Sequence, residues 1–417
     1  MSIRILIAVL VLFVIDVYVF QGVKVLTQDR SPSFQRWVTW IYWTISFLCI
    51  GTILIGQWID WHSWPKGLRV YSFAMIFIIY LTKIFITVFL LIDDLIRIVR
   101  WIAGWLAVKF SSNQETNEVL RVSRLNFLVK TGFVIGALPF FSLIYGMVKG
   151  AYNYKVHRSQ LGFKNLPEPF HGLKVVQISD LHAGSFHSTE HVSKAIDIIL
   201  NEKPDVIFFT GDLVNDLHTE ALPFKEILSR MKAPLGVYSI LGNHDYGDYY
   251  NWPSVESKID NLNKLKSFHG EVGWNLLLNE HTYLEKDGSK IGLIGVENYS
   301  GKKNFSRYGD MKKATEGFVE QGMNILLSHD PSHWNSQITS EYTYIDLTLS
   351  GHTHGMQFGV EIPGFKWSPV QYFYKQWADL YKENHQMLYV NRGLGFLGYP
   401  GRVGILPEIS VFTLVKA

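Results

Sequence analysis

The chain has 417 residues, of which 48% are hydrophobic, 15% aromatic and only 18% charged. Soluble domains carry about a quarter charged residues, so disorder, collagen-like repeats and a polybasic nucleic-acid-binding composition are excluded. The formal net charge of +3 is unevenly spread: residues 1–150 hold 14 Lys and Arg against 7 Asp and Glu, and residues 151–417 hold 25 against 29. A single cysteine, Cys49, excludes an intrachain disulfide and a Cys-rich zinc site.

Four apolar runs precede residue 150, at about 3–21, 37–59, 70–92 and 127–148. A spanning helix needs about 20 predominantly apolar residues. A cleavable signal peptide would account for the first run but not for four. Residues 1–150 are therefore expected to be a four-span transmembrane region, which makes the chain a multi-pass protein of the cell membrane. Trp37, Trp40, Trp58, Trp61 and Trp64 cluster near the ends of the second run, as an aromatic belt does. Residues 93–110 pair Arg97 and Arg100 with an apolar remainder and read as an interfacial segment; an extension of the third helix is the alternative. Residues 111–119 are a polar loop. Six Lys and Arg lie near the helix ends on one side and eight on the other, which favours an extracytoplasmic large domain. Asp16 and Lys83 each lie about 13 residues into their run, and the first and third helices run the same way. At 1.5 Å per residue both sit roughly 20 Å from the same face. Charges at such depth face a partner in the bundle, so the two are expected to meet.

Beyond residue 160 short β-branched runs alternate with helical stretches. Five runs end alike. KVVQIS (174–179) leads to Asp180-Leu-His182, DVIFFT (205–210) to Gly211-Asp212, and GVYSIL (236–241) to Gly242-Asn243-His244-Asp245. NILLS (324–328) leads to His329-Asp330, and IDLTLS (345–350) to Gly351-His352-Thr353-His354. Ligand sites of open α/β sheets form at the carboxyl ends of the strands. The gathered Asp180, His182, Asp212, Asn243, His329, His352 and His354 offer carboxylate, amide and imidazole but no thiolate. That mixed set suits Mn, Fe or Zn rather than Mg or Ca. Seven ligands exceed one ion; with Asp212 shared they make two four-ligand shells, the two-metal device for displacement at phosphorus.

This ordered series resembles the calcineurin-like metallophosphoesterase superfamily over roughly 170–417, which makes residues 160–417 the expected catalytic domain. The resemblance implies a four-layer α/β/β/α sandwich that binds two divalent metal ions. It implies that Asp180, His182, Asp212 and His354 hold the first ion, and that Asp212, Asn243, His329 and His352 hold the second. It makes His244 and Asp245 the catalytic pair, with His244 protonating the leaving oxygen or stabilising the transition state and Asp245 orienting it. The ending NRGLGFLGYPGRVGILPEISVFTL (391–414) is similar to membrane-associated bacterial members, some of which cleave the pyrophosphate of UDP-2,3-diacylglucosamine. Two positions depart from that branch: Asn215 follows Val214 where Asp is frequent, and Met356 follows Gly355 where a second Gly is frequent.

Arg392 and Arg402 sit in Gly-rich turns and are candidates for contact with a substrate phosphate, a pairing with a carboxylate being the alternative. His333 lies outside any motif slot and reads as a surface residue. The aromatic stretch 365–381 reads as a core cluster or, with its interleaved lysines, as an interfacial loop. The expected function is a membrane-anchored dinuclear-metal hydrolase that cleaves a phosphoester or pyrophosphate in a lipid-linked substrate. The alternatives are a tethered phosphatase or phosphodiesterase on soluble nucleotides or wall polymers, and a metal-stabilised interaction domain without catalysis. Membrane lipids are expected partners, and nucleic acid is not.

Overall fold

The computed structural model describes residues 3–59, 64–110, 126–303 and 305–417. Trp61 and the polar loop at 111–119 lie outside them. The chain divides into two compact units, Met1–Tyr145 and Gly146–Ala417.

The first unit consists of α1 (Ile3–Thr27), α2 (Pro32–Ile55), α3 (Lys66–Phe110) and most of α4 (Asn126–Val148). All four are long and apolar enough to cross a membrane. Ser31 caps α2, its hydroxyl accepting from the Phe34 N–H, and Pro32 opens the helix where a missing N–H does no harm. Residues 93–110 are not a separate interfacial element: they continue α3 without a break. Trp37, Trp40 and Trp58 are exposed. Small residues set the approach of α4 to α3. A Cβ added at Gly136 would lie 2.6 Å from Ile86 Cγ1, and one at Gly132 2.8 Å from Phe89 Cβ.

Asp16 and Lys83 do meet. The Lys83 ammonium donates to the Asp16 carboxylate, and both are buried. Tyr80 donates to the other carboxylate oxygen at 2.9 Å, Ser46 to the first at 3.1 Å, and Tyr42 to the Asp16 carbonyl at 2.7 Å. Three helices thus converge on one buried carboxylate.

The second unit packs two six-stranded sheets face to face. The first contains β1 (Lys155–Phe163), β2 (Lys174–Ile178), β3 (Val206–Phe209), β4 (Val237–Ser239) and β5 (Asn275–Leu276). The second contains β6 (Glu280–Lys286), β7 (Ser289–Gly295), β8 (Asn324–Leu327) and β9 (Leu347–Ser350). A separate hairpin, β10 (Val360–Ile362) and β11 (Phe365–Trp367), follows. Then β12 (Asp379–Glu383) and β13 (Gln386–Val390) complete the second sheet, and β14 (Glu408–Lys416) returns to the first. The orders are β1-β14-β2-β3-β4-β5 and β12-β13-β9-β8-β7-β6.

Side-chain alternation explains the layers. Val175, Val206 and Phe208 face Ile325, Leu327, Leu347 and Leu349 across the inter-sheet core. Their neighbours Val176, Ile178, Ile207 and Phe209 point the other way, under α5 (Glu190–Asn201), whose Val192, Ile196 and Ile199 cover them. On the outer face of the second sheet, Ile294, Leu326 and Leu388 pack against Trp334 and Ile338. Strands buried on both faces read as continuous apolar runs, as β2, β3, β8 and β9 do. The result is the expected α/β/β/α sandwich. Residues 219–232 fold as short turns with a single α-helical turn at Lys225–Leu228, in keeping with Pro223, which lacks an N–H for a helix interior.

Candidate metal centre

Strands β2, β3, β4, β8 and β9 all release the chain at one edge, where the motif residues turn sharply. Asp180, His182, Asp212, His352 and His354 all have positive φ, between 48° and 71°. Non-glycine residues rarely adopt this left-handed region, and such strain persists where the surrounding structure fixes it, typically at functional sites. The loops also touch at backbone distance. A Cβ on Gly242 would lie 2.2 Å from Asp212 Oδ1, and one on Gly351 2.2 Å from Asp180 Oδ2. Glycine is required at both because a motif carboxylate occupies the place of the side chain.

The ligand-type atoms converge in two groups: Asp180, His182 and His354, and Asp212, His329 and His352. Asp212 connects them, with its Oδ2 3.5 Å from His182 Nε2 and 3.1 Å from His329 Nε2. Asn243 Oδ1 lies 2.7 Å from His352 Nδ1 and joins the second group. His354 Nε2 lies 3.2 Å from Asp180 Oδ1 and 3.0 Å from His182 Nε2.

The hydrogen bonds around these rings show that cations fit between them. The Thr210 carbonyl, 2.7 Å from His329 Nδ1, can only accept, so it takes that ring's proton. In the neutral ring Nε2 then has only a lone pair; it is buried without a hydrogen bond and faces an Asp212 oxygen. The second group repeats the pattern. Asn243 Nδ2 donates to Tyr249 Oη at 3.0 Å, which turns its carbonyl oxygen toward His352. Tyr374 donates to Asp330 and accepts from His352 Nε2 at 2.8 Å, so Nδ1 meets the Asn243 oxygen with a lone pair. Either a ring proton or a divalent ion between such a pair satisfies both atoms, and a divalent ion would serve the neighbouring carboxylates as well.

The electrostatics agree. Burial disfavours a charged His182 and lowers it to about 3, a neutral ring suited to ligation. Burial opposes charge on His329 as well, but the adjacent Asp212 outweighs it and raises His329 to about 10; metal binding would displace that proton. Burial raises the carboxyls of Asp180 and Asp212, yet the neighbouring histidines, His354 and His329 respectively, hold both below the usual range.

His244 stands beside the two groups. Its ring centroid is 5.0 Å from that of His182 and 4.7 Å from that of Tyr249. Its Nδ1 donates to the Asn215 carbonyl at 2.9 Å.

Three expectations need correction. Asp245 does not orient His244: its buried carboxylate accepts the N–H groups of Asp212, Leu213, Val214 and Gly242, at 2.8–3.2 Å. It clamps the β3 loop to the β4 loop, and the Asn215 carbonyl takes the orienting role. Arg392 and Arg402 cannot reach a substrate phosphate, because both are buried and engaged. Arg392 pairs with Glu408, Asp379 and Glu361. Arg402 donates to the carbonyls of Gly395, Gly393 and His354, and lies 3.0 Å from His354 Nδ1. His333 is not on the surface; it is buried between Ser328 and Gln337.

Other residues of the site had no motif to announce them. Asn215 Oδ1 holds His182 Nδ1 at 3.1 Å, so the departure at 215 lies behind a ligand histidine. Tyr374 and Asp330 support His352 from the far side. The aromatic stretch divides: Val370, Tyr374 and Trp377 form a core cluster, whereas Phe365, Tyr372 and Phe373 are exposed.

Comparison with known proteins adds the following. Residues 2–151 match the family model described as probable calcineurin-like phosphoesterase, transmembrane domain, and residues 173–356 match that of calcineurin-like phosphoesterase. The transmembrane protein with metallophosphoesterase domain of Danio rerio is 31% identical over 281 residues, covering 66% of this chain and 60% of that protein. The uncharacterized metallophosphoesterase YkuE of Bacillus subtilis is 31% identical over 257 residues, covering 60% of this chain and 81% of that protein. The UDP-2,3-diacylglucosamine pyrophosphatase LpxG of Chlamydia trachomatis is 29% identical over 278 residues, covering 55% of this chain and 81% of that protein.

Proposed function

The chain belongs to the calcineurin-like metallophosphoesterases, and from that premise we propose that it hydrolyses a phosphoester or pyrophosphate in a lipid-linked substrate. Four spanning helices on the same chain support the lipid linkage, since they keep the enzyme where such substrates reside. The relative that acts on UDP-2,3-diacylglucosamine supports it too. The hydrolytic reading is carried by Asp212, whose carboxylate lies within 3.5 Å of a ring nitrogen in each histidine group.

In this reading Asp180, His182 and His354 would hold one ion and Asn243, His329 and His352 the other, with Asp212 available to both. Bound divalent ions supply Lewis-acid polarisation of the phosphoryl group and neutralise its charge. The protein does the rest. Asn215 and Thr210 fix the ring orientations of His182 and His329. Tyr374 does the same for His352. His244, held through Nδ1, would present Nε2 to the leaving oxygen; in the doubly protonated ring, with Nδ1–H on the Asn215 carbonyl, the Nε2 proton would pass to that oxygen and leave the neutral imidazole.

The test is turnover by the purified chain with added Mn²⁺ on lipid pyrophosphates, phospholipids and nucleotide esters, each presented in mixed micelles. A higher kcat/KM on a lipid-linked pyrophosphate or phosphoester supports the proposal. A preference for nucleotide esters, unaffected by detergent, would replace it with the soluble-substrate reading.

A further inference from the structure

The β10–β11 hairpin carries its polarity reversed. Its register places Val360 opposite Trp367 and Ile362 opposite Phe365, with Glu361 opposite Lys366 between them. Alternation sends the two sets to opposite faces. A hairpin on a water-soluble surface turns its polar face outward. Here the apolar face is outward: Val360, Ile362, Phe365 and Trp367 are 43%, 58%, 53% and 36% exposed.

The polar face is anchored inward. Glu361 accepts from Arg392 Nη2 at 2.6 Å, and Arg392 is itself fully buried and paired with Asp379 and Glu408. Lys366 donates to the Ala378 carbonyl at 2.9 Å and to the Asp379 carboxylate. Turning the hairpin over would strip these ion pairs, so its orientation is fixed by the charge cluster beneath it. The following turn extends the apolar surface. Tyr372 and Phe373 are 74% and 62% exposed, and Trp367 Nε1 donates to Tyr372 Oη at 3.4 Å. Scattered exposed hydrophobics are ordinary, but a contiguous patch marks an interaction surface.

We propose that this face seats in the headgroup region of a lipid bilayer and holds the catalytic unit against the membrane. Two observations select lipid as the occupant. The chain carries four helices long and apolar enough to span a membrane, so a bilayer always accompanies this unit. The outward face combines Trp, Tyr, Phe and β-branched side chains, with the Lys302 ammonium at its edge donating to the Phe373 carbonyl, a composition that settles at membrane interfaces. The inference does not depend on which phosphoester is cleaved.

The test uses the full chain with Cys49→Ser and one new cysteine carrying an environment-sensitive fluorophore. The cysteine is placed at Ile362→Cys, at its cross-strand neighbour Phe365→Cys, or at the exposed control Glu226→Cys. Each protein is reconstituted into phosphatidylcholine–phosphatidylglycerol liposomes. Quenching is read with headgroup-proximal doxyl lipid and with aqueous iodide. The expected result is strong doxyl quenching at 362 and 365 with several-fold protection from iodide, and the reverse at 226. Equal behaviour at all three positions would overturn the proposal, as would disagreement between 362 and 365. Iodide protection without doxyl quenching, fading as the protein is diluted in lipid, would overturn it in favour of a second copy of the chain. No turnover is measured, so failure here leaves the hydrolase reading untouched.

Discussion

Replacing Lys83 with Gln strands the Asp16 carboxylate inside the helix bundle. Asp16 then retains the hydroxyls of Ser46 and Tyr80 but loses the Lys83 ammonium. Removing one member of a buried ion pair typically destabilises by about 3–5 kcal/mol, and an uncompensated charge at mid-membrane depth costs about 2.5–3.5 kcal/mol on insertion scales. Asp16→Asn strands Lys83 in turn, with the Ser46 hydroxyl at 2.8 Å as a neutral partner. Each single change should therefore cost about 3 kcal/mol. The double change removes both charges, so its loss should fall short of the sum by about 0.5–3 kcal/mol, the range for residues in contact. Unfolding in mixed micelles with rising dodecyl sulfate, followed by circular dichroism, supplies the cycle. Additive losses would refute the pairing.

Other perturbations separate the roles assigned in the catalytic unit. His244→Ala should keep its metal, since His244 belongs to neither ligand group, and lower turnover by about 10²–10⁴-fold; elemental analysis beside kcat checks both. Asn215→Ala removes the amide behind His182, so metal affinity read by titration should fall by about 10–100-fold, as for other partners of ligand histidines. Arg392→Met leaves Glu408 buried and unpaired and should cost about 3–5 kcal/mol in stability, whereas a role on substrate would raise KM and spare the melting temperature. His269, lowered to about 3 by burial, is neutral when folded but titrates near 6.5 when unfolded. Between these pH values the unfolded state binds the extra proton, so stability rises with pH and is lost on acidification. His269→Gln should flatten that acid limb by about one proton, measured from urea midpoints across pH.

The clustered Asp, Asn and His side chains were legible because apolar strands end in these residues in a fixed order, and a sheet gathers strand ends at one edge. Asp16 and Lys83 were legible by counting depth along two parallel helices. What lay beyond the sequence was direction. Gly-rich neighbours allow Arg392 to approach a phosphate, but its partners Glu361, Asp379 and Glu408 are distant in sequence and turn it inward. Asp245 adjoins His244, yet the tight turn aims its carboxylate at the loop amides instead. Asn215 registered only as a departure from a motif, because its amide and carbonyl find His182 and His244 through folding alone. The aromatic stretch gave composition without facing, so the outward apolar side of the hairpin emerged only from its register.

The proposed chemistry rests on a pair of ions sharing Asp212. Elemental analysis of the purified chain and of Asp212→Asn, each equilibrated with Mn²⁺ and checked for fold by circular dichroism, tests it most directly. Two ions per wild-type chain, with both depleted and activity lost in Asp212→Asn, is the predicted result. A wild-type chain that saturates at one ion, or an Asp212→Asn chain that keeps both, would contradict it.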